Sequence, residues 1–126
     1  MAEFTDYFEN AIIDQMRNVG GPQVAVYVGL YTTATDDSGA GTEVSGGSYA
    51  RQLAGLSAGS GGTSSNGADI TFPTATADWG EVTHIALLDA ESGGNMLMHS
   101  ILDASKTVND GDTFKINSGD LDVTIT

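Results

Sequence analysis

The chain has 126 residues, with 17 Asp and Glu against 4 Lys and Arg, a formal net charge of −13 and no Cys. That length fits one core, and the lack of Cys excludes disulfide scaffolds and thiolate metal sites. The cations Arg17, Arg51, Lys106 and Lys115 are too few and too scattered to release counterions from nucleic acid or to hold an anionic membrane.

With 40% hydrophobic residues the chain is expected to fold, so the acids read as a solubilising surface. Such a surface suits a salty medium, where screening removes its self-repulsion. A single domain is expected, with a helix over 1–20 and a β-sandwich over 23–126. Phe4, Phe8, Ile12 and Met16 recur every four residues, which predicts an amphipathic helix. Glu3, Asp6 and Glu9 near its start and Arg17 near its end suit the helix dipole, and Gly20-Gly21-Pro22 ends it. The stripe is apolar enough to dock on a sheet or on a neighbouring subunit, so Phe4, Phe8 and Ile12 are candidate interface residues. Met1 to Asn10 lacks the basic-then-apolar pattern of a signal peptide, and no run of residues is long and apolar enough to span a bilayer.

The period then changes to two. Val24, Val26, Val28 and Leu30 share one face of Gln23 to Tyr31, and Ala25, Tyr27, Gly29 and Tyr31 share the other. Asp36 to Ser48 and Gly55 to Gly67 read as small-residue loops, the second ending in the turn pair Asn66-Gly67. Short strands are expected at Tyr49 to Leu53 and Ala68 to Phe72. Glu81 to Leu88 and Asn95 to Leu102 alternate cleanly about Asp89 to Gly94, which predicts a hairpin. Strands at Thr113 to Asn117 and Leu121 to Ile125 complete the chain. The fold class expected is mainly β: an antiparallel β-sandwich or jelly-roll-like barrel with one N-terminal α-helix.

Chemistry finds little support. Gly55 to Thr63 has no Lys before its Ser or Thr and no following helix, so it is not a phosphate-binding loop. Asp36-Asp37-Ser38-Gly39 with Glu43, and Asn109-Asp110-Gly111-Asp112, offer hard oxygens but lack calcium-loop spacing; Asx turns use the same residues. If Leu88 pairs with Asn95, His84 faces His99, but no third ligand is evident and the pair reads as packed strand histidines. No Gly-x-Ser-x-Gly elbow is present. No catalytic residue, cofactor or metal is therefore expected. Trp79, beside Tyr27, Tyr31 and Tyr49, is a candidate glycan contact or a core anchor.

Several segments carry a family resemblance: Val26 to Thr33, Gly41 to Arg51, Ile70 to Ala75, Trp79 to His84, Leu88 to Ala90 and Ser105 to Asp112. Over nearly the whole chain it resembles the small structural proteins of tailed viruses, of tail-fibre, minor-tail or capsid-decoration type. Gly-Ser-Tyr-Ala-Arg at 47–51 and Trp-Gly-x-Val-Thr-His at 79–84 are the most specific parts. The resemblance implies a non-enzymatic virion protein that self-associates and binds capsid or tail proteins. Tyr49 and Arg51 join the candidate interface, Arg51 as an inter-subunit ion pair. The alternative is an adhesin module that binds a host-surface glycan.

Overall fold

The computed structural model describes residues 3–8, 12, 25–57, 61 and 63–124. Their strands are β1 (Glu3–Phe4), β2 (Tyr27–Tyr31), β3 (Gln52–Leu53), β4 (Thr63–Ser65), β5 (Ile70–Thr71), β6 (Gly80–Leu88), β7 (Met96–Val108), β8 (Lys115–Ile116) and β9 (Asp122–Thr124). All pairings are antiparallel. One five-stranded sheet runs β1-β7-β6-β2-β3, and two ribbons, β4-β9 and β5-β8, stand beside it. Among the described residues no sheet closes into a barrel, and no helix is long and apolar enough to cross a membrane.

Alternation along β2 and β6 covers both faces of the sheet. Val28, Leu30, Val82, Ile85 and Leu87 enter one core with Phe72, Trp79 and Phe114, against which Ile116, Leu121 and Val123 of the ribbon segments also pack. On the other face Tyr31, Ala86, Leu88 and Met96 form a second cluster. Phe72, 1% exposed, stacks at 6.1 Å on Tyr49 and meets Phe114 edge-on at 5.7 Å. Burying one such ring contributes about 1.5–3 kcal/mol.

Five sequence expectations need correction. Phe4 is not in the first turn of a helix; it pairs with Met98, and Glu3 pairs with His99. Thr5 sets this boundary. Its amide donates to the Leu97 carbonyl, its hydroxyl donates to the Met96 carbonyl, and the same oxygen accepts the Phe8 N–H at 3.3 Å as a helix cap. Residues 6–8 and 12 are helical; 9–11 and 13–24, with Met16 and the Gly20-Gly21-Pro22 stop, lie outside the described residues.

The hairpin register also differs. Leu88 pairs with Met96 and Leu87 with Met98, so Leu97 is an extra residue, and His84 faces Ile101 while His99 faces Ala86. A bulge shifts every later pair. Strand β7 also runs on to Val108, with Leu102 to Ser105 standing opposite Thr83 alone.

β4 was expected to be loop. Ser and Thr give no apolar alternation, and its pairing with β9 is what makes it a strand. Asn66, expected in a turn, is 1% exposed. Its amide donates to the carbonyls of Ala68 and Asn117 and its oxygen accepts the N–H groups of Gly119 and Leu121. One side chain thus ties the ends of β4, β5, β8 and β9 together.

Candidate functional site

The chain leaves β2 at Tyr31, turns, and returns so that Glu43 bridges Tyr31. β3 then pairs with Tyr27 and Val28, which brings Arg51 to the same sheet edge. The Arg51 guanidinium grips Glu43 with two N–H groups, each at 2.8 Å, and donates through Nη1 to the carbonyls of Ala90 and Gly93, also at 2.8 Å. Its side chain is 9% exposed and that of Glu43 22%. Gly29 makes room: a Cβ there would lie 3.0 Å from Glu43 Oε2 and 2.8 Å from Leu88 Cδ1.

Tyr49 completes the cluster. Its hydroxyl donates to Glu43 Oε2 at 2.6 Å and accepts the Leu30 N–H at 3.0 Å. Burial, then the bond to Glu43, pushes the Tyr49 phenol well above its ordinary range. The bond to Glu43 raises Arg51 against the opposing effect of its burial. Four of the five guanidinium N–H groups and the Tyr49 hydroxyl have acceptors within the chain. The cluster is a strut that fixes the loop after β6 to the β3 edge, and Arg51 is spent inside the subunit rather than offered to a neighbour.

The other candidates separate in the same way. Phe4 and Phe8 meet edge-on at 5.2 Å and pack against the chain's own core, and Ile12 is half-buried. Tyr7, between them, is the exposed ring at 48%. Trp79 is 6% exposed, and its indole N–H donates to the Gly47 carbonyl at 2.9 Å. Gly47 has φ 55°, and a Cβ there would lie 2.9 Å from the indole nitrogen. The ring is a core anchor and presents no platform for a sugar.

The Asp-rich loops use their carboxylates to hold turns. Asp36 accepts the Ser38 hydroxyl and the N–H groups of Ser38 and Ala40, and these bonds hold it below its ordinary 3.8. Asp112 accepts the Asn109 N–H and Asp78 the Asp110 N–H. His84 bonds Thr83 through Nδ1 at 2.8 Å and is separate from His99. Among the described residues, the three side chains grouped as a metal could use them are Glu3, Asp37 and His99.

Among the described residues a groove of about 620 Å³ lies between the second half of β7 and the β8 and β9 segments. Leu102, Phe114, Ile116, Leu121 and Val123 line it, and Ile101 stands at its wall 68% exposed. Lys106 and Lys115 line it together with Asp103, Asp120 and Asp122, and Lys115 pairs with Asp69 at 3.2 Å.

With this geometry in place, comparison identifies the kind of protein. The family model described as Podophage GP4 fiber I protein gp80 matches residues 3–124. The chain belongs to that family. It is a phage fibre structural protein, and membership implies a component of the virion. No curated protein matches the chain. The match runs from β1 through β9, so the Arg51 strut, the groove and the Glu3–Asp37–His99 group all fall inside the family region.

Proposed function

We propose that the chain is a non-enzymatic fibre subunit that works by self-association and by binding other virion proteins. The family match across residues 3–124 carries this reading. The groove beside β7 supports a contact surface: its lining is mostly apolar and it is flanked by an Ile that is 68% exposed. Repeated copies supply buried area that one small domain lacks. The tail is preferred to the capsid because the family description names a fibre.

Replacing Ile101 with Asp tests the surface. The exposed position tolerates the change, so the circular dichroism spectrum stays native while the sedimentation coefficient falls to that of the monomer. An unchanged assembly rules out this face. Stoichiometric presence in purified particles tests the role itself; a chain absent from virions is not a fibre subunit. Because free subunits repel each other, assembly strengthens from low to multimolar salt. Indifference to salt removes the charge from the account.

A further inference from the structure

We propose that Glu3, Asp37 and His99 form a site for one divalent transition-metal cation of the Zn²⁺ class, joining β1, the loop after β2, and β7. The three donor atoms lie within 4.8 Å of one another. His99 Nε2 is 3.2 Å from Asp37 Oδ1 and 3.7 Å from Glu3 Oε2. Ligands held at ~2.0–2.2 Å around a tetrahedral ion stand roughly 3.3 Å apart, so the His99–Asp37 spacing is already suitable. The two carboxylates, 60% and 72% exposed, are free to turn and close the remainder.

The imidazole is built in rather than incidental. Its side chain is 9% exposed, yet its Nε2 edge points at two carboxylate oxygens. Its Nδ1 lies 3.0 Å from the Thr35 hydroxyl. Donation from Nδ1–H to Thr35 directs the Nε2 lone pair at the carboxylates, the outer-shell arrangement that metal-bound histidines use. In that tautomer three oxygen and nitrogen acceptors face a common point, where a cation takes the place of the proton that otherwise joins His99 Nε2 to Asp37. An N–H on Nε2 serves only Asp37, since 3.7 Å to Glu3 is beyond a hydrogen bond. A divalent ion engages both carboxylates and cancels their charge.

Backbone geometry fixes each donor independently. Glu3 and His99 are directly opposed in the β1–β7 pair. Asp37 follows the Asp36 turn, and its carbonyl accepts the Asp6 N–H at 3.1 Å. One imidazole with two carboxylates favours Zn²⁺-class ions over Mg²⁺ and Ca²⁺, which prefer oxygen alone. The bound ion would staple the first strand to the sheet.

The test is Zn²⁺ titration by calorimetry of the full chain after chelator treatment, in physiological salt with millimolar Mg²⁺ to occupy diffuse carboxylate sites. One ion per chain is expected. Asp37→Asn and Glu3→Gln, both at exposed side chains, each weaken binding at least ~10-fold, and Thr35→Val does so by ~10-fold through the ring's orientation. His99→Gln abolishes it. Zinc at 100-fold saturation raises the Tm of the parent chain by at least about 5 °C and leaves that of Asp37→Asn nearly unmoved. In the ¹⁵N spectrum zinc shifts the His99 Nε2 resonance. No binding, several weak ions per chain, an unshifted Nε2, or affinity in either carboxylate variant equal to that of the parent chain overturns the proposal. If His99→Gln does not fold, the carboxylate variants and the Nε2 resonance decide.

Discussion

Two charged clusters sit on the five-stranded sheet and use their charge in opposite ways. At the β3 edge one cation, Arg51, meets one anion, Glu43, and the donors left over reach the Ala90 and Gly93 carbonyls. At the β1 edge two anions meet one imidazole, and both anions stand largely in water. The first cluster balances its charge, and three donors fill the Glu43 carboxylate, so it holds structure. The second has surplus negative charge and unfilled acceptor capacity, which is what a cation requires. Counting donors against acceptors separates a strut from a receptor where a list of charged residues does not.

Glu43→Ala gives the largest effect. It leaves a mostly buried guanidinium and the Tyr49 hydroxyl without their main acceptor, and costs about 3–5 kcal/mol in urea unfolding. A loss below about 1 kcal/mol would mean that water replaces the carboxylate and that the cluster is not closed. Arg51→Lys comes next, at about 1–3 kcal/mol, because an ammonium cannot grip Glu43 with a fork and reach both carbonyls as well. Without metal, Asp37→Asn changes stability by at most about 1 kcal/mol, the range for an exposed pair. Multimolar salt erases that difference while leaving the Glu43→Ala loss in place, because buried pairs are screened least.

The smallest effect is in acid. The Ser38 hydroxyl and backbone N–H groups depress Asp36, and the Ser118 N–H and Lys115 depress Asp69. A carboxylate with a depressed folded value stabilises the fold above its unfolded value and loses that contribution as pH falls through the folded one. Stability is therefore retained at neutral pH and declines below about pH 4. Asp36→Asn flattens the fall in Tm between neutral pH and about pH 3; an unchanged slope means that other groups set it.

Where a strand buries alternate residues, the sequence was readable. The β6–β7 hairpin followed from Val82 to Leu88 and Met96 to Ile101, and β2 from Val26 to Tyr31. Past Leu102 the run Asp103-Ala104-Ser105-Lys106-Thr107 has no alternation, because one of its stretches bulges away from Thr83. Leu97 slipped the register by one residue, and no sequence pattern announces a bulge of that kind. Asn66-Gly67 has the composition of a tight turn, while the tertiary structure uses the Asn amide as a buried four-way tie. The sequence left Trp79 open as a glycan contact or a core anchor, and its 6% exposure favours the anchor. The Glu3–Asp37–His99 group was not readable, since its members come from three elements far apart in sequence and only the β1 pairing assembles them. Histidine spacing paired His99 with His84 instead, a pairing that the bulge at Leu97 removes.

Thr5 holds a further lesson, about time rather than energy. Its bonds to Met96 and Leu97 close a loop spanning most of the chain. Closure over such a distance is entropically costly and favours slow folding. β1 has nothing to pair with until the β6–β7 hairpin exists. On a ribosome that hairpin is made late, so the opening residues wait for nearly the whole chain before they can dock. A chain made only as far as β6 therefore lacks the strand on which β1 docks.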